Sequence, residues 1–127
     1  MRLRLRVLPE TLAVARLAAR ARIPAWVRGQ PASVTRTGDE LSIVCRAERV
    51  PRNVQHTPGW RSLKLEGVFD FALVGVLVSV LGPLARARVG IFALSTHDTD
   101  YVMVRSRDLE RAIKALRAAG HRVSRAP

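Results

Sequence analysis

The stretch from Gly90 to Val104 constrains the fold of this chain more than any other. Ile91-Phe92-Ala93-Leu94 and Tyr101-Val102-Met103-Val104 are apolar runs of strand length, and five of the six residues between them, Ser95-Thr96-His97-Asp98-Thr99-Asp100, are Ser, Thr or Asp. Two such runs around a short polar stretch predict a β-hairpin. Tight hairpins are commonly closed by Asn-Gly or Asp-Gly, which supply positive φ. This tip carries hydroxyls and carboxylates instead, groups suited to gripping a small polar ligand.

The neighbouring segments fit one plan. Residues 60–66 alternate at period two, predicting a strand with Trp60, Ser62, Lys64 and Glu66 on one face and Leu63 and Leu65 on the other. Gly67 ends it. Asp70 reads as an N-cap or first-turn residue for a helix over about 71–86, with Pro83 kinking or restarting the last turn. After the hairpin, a second helix begins near Ser106, with Asp108 and Glu110 early, Leu109, Ile113 and Leu116 as its apolar stripe, and Gly120 as its stop. A short edge strand around 121–124 completes the order strand, helix, strand, strand, helix, strand. That is the ferredoxin-like βαββαβ arrangement of the α+β class.

The first half carries an abbreviated version. Residues 12–17 suit a strand by apolar content, although their alanines are helix-compatible, and Ile23-Pro24-Ala25-Trp26 suggests a turn into a short helix. Residues 33–37 and 40–45 around Gly38-Asp39 predict a second hairpin. Residues 46–59 read as a connector, with Pro51, Asn53, Pro58 and Gly59. The expected modules are therefore 1–58 and 59–127. Aligning 35–44 with 95–104, at an offset of 60 residues, suggests an internal duplication, with a shorter crossover in the first copy.

The net charge of +12 on 127 residues invites a nucleic-acid or anionic-membrane reading. The basic residues, however, are spread from Arg2 to Arg125, densest at Arg2, Arg4 and Arg6 and between Arg105 and Arg117. Solvated faces account for such a distribution better than a single polyanion site. Few aromatics and no glycine-rich phosphate loop point the same way, and Trp26 and Trp60 read as core anchors. The single Cys45 lies in a strand pattern and excludes an intrachain disulfide, fitting a reducing cytoplasm. The N-terminus lacks an apolar signal core. The apolar stretch 68–84 contains Asp70, Gly75, Gly82 and Pro83 and reads as a buried helix rather than a membrane span. No Ser-His-Asp or Cys-His arrangement can be assembled from His56, His97 and His121. His97, Asp98 and Asp100 match no strong metal-ligand spacing. The chain reads as a non-enzyme without cofactor or metal.

Three motifs, Thr35 to Cys45, Gly59 to Gly67 and Ser95 to Val104, resemble small bacterial tandem ACT-domain proteins. Such proteins are similar to the regulatory half of aspartate kinases and to CASTOR-type arginine sensors. The resemblance runs from about Leu12 to His121. It implies two ACT modules side by side, a non-catalytic regulatory role, an amino-acid effector bound between modules, a homodimer and a possible protein partner. Carried over by position, it implies a ligand site from Gly67, Val68, Phe69 and Asp70 in the loop before the first helix, and from the strand end from Ile91 through Ser95 to Thr96. Backbone N–H groups at a helix start can receive an α-carboxylate, and Asp98 or Asp100 can pair with an ammonium or guanidinium. Helix capping by Asp70 and local turn hydrogen bonds among Ser95, Thr96, Asp98, Thr99 and Asp100 are the structural alternatives. Two other functional classes stand beside this one: a basic module binding nucleic acid, and a dimerisation module without ligand.

Overall fold

A computed structural model describes residues 1–67, 69–70 and 72–125. In chain order the elements are β1 (Arg4–Leu17), β2 (Ser33–Arg36), β3 (Leu41–Arg46), β4 (His56–Leu65), α1 (Val76–Arg86), β5 (Ile91–Ser95), β6 (Asp100–Arg105), α2 (Leu109–Ala118) and β7 (Arg122–Arg125), with 3-10 turns at 47–49 and 106–108. The chain divides into a C-terminal unit, residues 1–9 with 61–127, and an N-terminal unit, residues 10–60. The sequence alone groups residues 1–9 with the first module. In the structure Arg4–Val7 pair in parallel with Arg122–Arg125, and the Glu66 N–H donates to the Arg4 carbonyl at 2.8 Å. The alternation of Leu3, Leu5 and Val7 with arginines is thus a strand inside the second module's sheet, whose order is β7-β1-β4-β6-β5.

In the N-terminal unit, Leu12–Leu17 pair antiparallel with Leu41–Arg46, and β2 pairs with β3. The alanines of β1 do not make a helix because pairing with β3 buries Ala13 and Ala15 against Leu41, Ile43 and Cys45; tertiary context overrides a weak propensity. Residues 23–26 form turns rather than the expected short helix. Trp26 and Val27 of this loop pack on the small core. Arginines hold the loop down: the Arg36 guanidinium donates to the carbonyls of Ala19 and Ala21, and Arg46 Nε donates to Gln30 at 2.9 Å.

Cys45 is buried, and its thiol is pushed above the usual 9.0, chiefly by that burial, then by Glu48, with Arg49 opposing. The folded chain therefore holds the thiol proton more tightly than the unfolded one. Stability from this source is complete below pH 9.0 and declines as pH rises past it. We expect the wild type to lose more stability than Cys45→Ala between pH 8 and 10 in denaturant titrations, by at most about 1.4 kcal/mol per pH unit. Equal slopes for the two proteins would refute this account of the thiol.

In the C-terminal unit, α1 and α2 bury Val76, Val80, Leu84, Ala112, Ile113 and Leu116 against Leu5, Val7, Leu63, Leu65, Val102 and Val104. The α2 stripe appears as expected, and α2 ends at Gly120 in the left-handed region, φ 97°, with the His121 N–H donating back to Leu116 at 3.1 Å. That cap turns His121 inward. Helix α1 departs from expectation at its start. It begins at Val76 with Gly75 as N-cap, φ 82°, and no side-chain cap; Phe71 lies outside the described residues. Asp70 closes a turn instead, its Oδ1 accepting the Ala72 N–H at 2.7 Å and its carbonyl the Leu73 N–H at 2.9 Å.

Pro83 sits inside α1 and has no N–H to give the Ser79 carbonyl four residues earlier. The donor comes from elsewhere. His121 Nε2 lies 2.8 Å from that carbonyl, while its Nδ1 accepts the Leu3 N–H at 3.0 Å. Both bonds require the tautomer with its proton on Nε2. One imidazole, 5% exposed, therefore ties α1 to β1 and to the end of α2.

Candidate functional site

The two segments singled out by sequence meet within the C-terminal unit. The Phe69 N–H donates to the Asp98 carbonyl at 2.8 Å, and the buried Thr99 hydroxyl donates to the Leu65 carbonyl at 2.7 Å. These two bonds fasten the loop between β4 and α1 to the tip of the β5–β6 hairpin. Ser95 Oγ donates to Asp100 Oδ1 at 2.5 Å across the strand ends, and His97 Nδ1 lies 2.9 Å from Asp98 Oδ1 on the exposed side. Ile91 is not part of this cluster. It pairs with Val104 at the far end of β5, about 13 Å along the strand from Ser95. Val68 lies outside the described residues.

Three carboxylates, Asp70, Asp98 and Asp100, thus mark the hairpin tip and the loop, and no Arg or Lys occurs in residues 67–85 or 89–104. In so basic a chain this is a locally acidic end. The first backbone N–H groups of α1 follow the loop, and no side chain caps them; they carry the positive end of the helix dipole. The loop and hairpin tip together offer carboxylates for a cation and amide N–H groups for an anion. Among the described residues, no group of three or more His, Cys, Asp and Glu is placed to hold a metal ion.

The structure also corrects the internal alignment. In the N-terminal unit the Thr37 N–H donates to Glu40 at 2.9 Å, and Thr37 Oγ1 accepts the Glu40 N–H at 3.2 Å. In the C-terminal unit the Thr96 N–H donates to Thr99 at 2.8 Å, and Thr96 Oγ1 accepts the Thr99 N–H at 3.4 Å. Thr37 therefore corresponds to Thr96, an offset of 59 rather than 60, and the 3-10 turns at 47–49 and 106–108 agree. The counterpart of Asp98 is Asp39, another acid. Thr96 and Asp98 thus share the chemistry of a repeated turn, whereas Ser95 and Asp100 stand opposite Arg36 and Leu41. The polar pair at the strand ends, Ser95 with Asp100, is peculiar to the second copy.

Thr99 is the residue on which the arrangement depends most, and its sequence signal is turn chemistry alone. Its hydroxyl is the donor joining tip to strand. We expect Thr99→Val to lower stability by about 1–2 kcal/mol, the cost of leaving the Leu65 carbonyl unpaired. Chemical denaturation measures it; a change under a few tenths of a kcal/mol would show that the bond contributes nothing.

Arginines elsewhere in this unit are tied to backbone carbonyls: Arg61 to Leu8, Arg111 to Ala87 and Arg88, and Arg117 to Val123. Part of the positive charge is thereby structural. Among the described residues no helix is long and apolar enough to cross a membrane.

Comparison with known proteins places this geometry. A family model described as an ACT domain matches residues 55–118, and a second model, for an N-terminal domain, matches residues 10–53. A crystallised protein from Agobacterium tumefaciens is 43% identical, with a TM-score of 0.94, covering 100% of this chain and 96% of that one. The ligand-free regulatory subunit of aspartate kinase from Thermus thermophilus shares the fold at 10% identity and a TM-score of 0.65, over 91% of this chain and 96% of that one. The aspartate kinase of Clostridium acetobutylicum does so at 13% identity and a TM-score of 0.64, over 87% of this chain but 33% of the enzyme. No curated protein matches in sequence. With its βαββαβ order, the ACT model across half its length and the aspartate kinase regulatory fold, the chain belongs to the ACT-domain family.

Proposed function

We propose that this protein is a non-catalytic regulatory module that binds a free amino acid at the loop and hairpin tip of its C-terminal unit, and that it works as a homodimer in the cytoplasm. The observation that carries the reading is the hydrogen bond from Phe69 to Asp98, which fastens the loop that leads into α1 to the polar hairpin tip. The ligand's ammonium group pairs with Asp98 or Asp100, and its carboxylate is received by the first N–H groups of α1. Occupation of this end holds α1 to the hairpin and thereby alters the surface offered to a second copy or a protein partner. Aspartate kinase regulatory subunits among the structural relatives support a ligand-responsive role.

Thermal-shift screening of the twenty amino acids tests it. Binding to the native state alone raises the melting temperature by mass action, so one amino acid at millimolar concentration is expected to raise it by several kelvin. No shift with any of the twenty would refute the reading.

A further inference from the structure

Helix α1 is apolar on every side: among its 11 residues only Ser79 and Arg86 are polar. Such a helix calls for cover all round, and this one is covered on one side only. Val76, Val80, Pro83 and Leu84 are buried, while Val78, Gly82 and Ala85, at spacings of four and three, face away from them. Val78 is 72% exposed, and Val74 and Leu73, just before the helix, are 82% and 47% exposed. The two ends of this face differ in charge. Asp70, Asp98 and Asp100 lie toward its start, and no Arg or Lys occurs in residues 67–85. Arg86 and Arg88 stand exposed at its finish, and the ion pairs of the other arginines, Arg6, Arg46, Arg111 and Arg125, leave these two without a carboxylate among the described residues.

We propose that this face of α1 packs antiparallel on the same face of a second copy of the chain, around a two-fold axis beside Gly82. A two-fold contact sets a patch against itself, so the patch must be complementary to its own rotated image. This one is. The rotation brings the arginines at the finish of one α1 to the carboxylates at the start of the other, and it opposes the two helix dipoles. With the axis between residues 81 and 82, Val78 meets Ala85 of the partner subunit, large against small. Arg86 Nη1 now lies over Gly82, 3.3 Å from where a Cβ there would stand; in the pair it turns outward to the partner's acidic end and leaves Gly82 free for close approach of the backbones. A lipid surface fits less well, because helices that lie on anionic membranes carry Lys and Arg along their polar edge, and here the neighbouring acids would be repelled. The proposal rests on the homodimer reading above and names its interface; it is independent of the amino-acid site.

Sedimentation velocity of the full chain at micromolar concentration is the test. The wild type is expected to be a dimer, and Val78→Asp to raise its dissociation constant at least about thirtyfold. Val78 is exposed in the single chain, so the variant keeps its fold, as circular dichroism checks. Ile23→Asp, the same change at a residue of the N-terminal unit that is 57% exposed, should leave the dimer intact. Orientation is read by mild oxidation. A mixture of Val78→Cys and Ala85→Cys chains should form a disulfide-linked dimer, whereas either variant alone should not, since like positions lie about 10 Å apart along antiparallel axes, beyond disulfide reach; Cys45 is buried and does not compete. A dimeric wild type whose Val78→Asp variant stays dimeric would overturn this interface and leave the homodimer standing. So would failure of the mixture to link, or linkage of either variant to itself. A monomeric wild type would overturn both, and would assign the face to lipid if vesicles of anionic phospholipid sediment the protein and to a different protein if they do not.

Discussion

Replacement of His121 by alanine is expected to destabilise the chain by about 3–5 kcal/mol, among the largest effects of any single change outside the apolar core. The substitution leaves two buried backbone groups unpaired, the Ser79 carbonyl and the Leu3 N–H, each costing about 1–3 kcal/mol, and it opens a cavity. The cause of the histidine's importance lies four residues downstream of Ser79, where Pro83 cannot donate. Pro83→Ala supplies the missing N–H within α1, so in that background the His121→Ala penalty should shrink by about 1–2 kcal/mol. Denaturant unfolding of the four proteins in this cycle gives the coupling energy. A coupling of zero would show that histidine and proline act independently and that the proposed compensation is wrong. The Leu3 bond persists in both backgrounds, which is why the penalty shrinks without vanishing.

The second large effect concerns ligand binding. Asp98→Asn or Asp100→Asn, whichever removes the ammonium's partner, should weaken binding of the amino acid found by thermal shift at least tenfold, about 1.4 kcal/mol. The carboxylates lose the charge that meets an ammonium group, while their sizes and turn geometry are kept. The two variants differ in a second respect. Asp98→Asn keeps the backbone carbonyl that accepts from Phe69, whereas Asp100→Asn also disturbs the bond from Ser95. Ser95→Ala should therefore reproduce part of the Asp100→Asn loss and none of the Asp98→Asn loss. Isothermal titration of the three variants measures this. Unchanged affinity in both aspartate variants would remove the carboxylates from the site.

Much of this architecture could be read from residues, and the exceptions have physical causes. The two hairpins were legible because β-branched and aromatic runs flank short polar turns, and α2 because its apolar stripe is followed by a glycine in the left-handed region. The first strand was obscured by its arginines, which drew attention to charge although Leu3, Leu5 and Val7 alternate with them at period two. The start of α1 was placed too early because residues 71–74 look helical by apolarity, yet Leu73 and Val74 are exposed and Gly75 adopts a conformation that starts a helix rather than continues one. His121 carries no motif of its own in the sequence. The signal that identifies it was present in the sequence: a proline inside a helix leaves one carbonyl in need of a donor. For the proposed site, the loop and hairpin tip singled out by sequence are joined by the Phe69–Asp98 bond, whereas Ile91 lies at the far end of β5, because position along a strand separates residues that lie close in the chain's pattern. The repeat alignment is one residue out of step in sequence, and the paired Thr37 and Thr96 turns, with the two 3-10 turns, correct it.

The central claim, that the loop and the hairpin tip form one ligand site, is tested most directly by residue-resolved NMR titration of the labelled protein with the amino acid found in the screen. The account predicts saturable chemical-shift changes concentrated at the amides of Phe69, Asp98, Thr99 and the first turn of α1 at residues 76–78, with a common dissociation constant. Shifts that leave those amides unmoved, or that cluster in residues 10–60 instead, would contradict it.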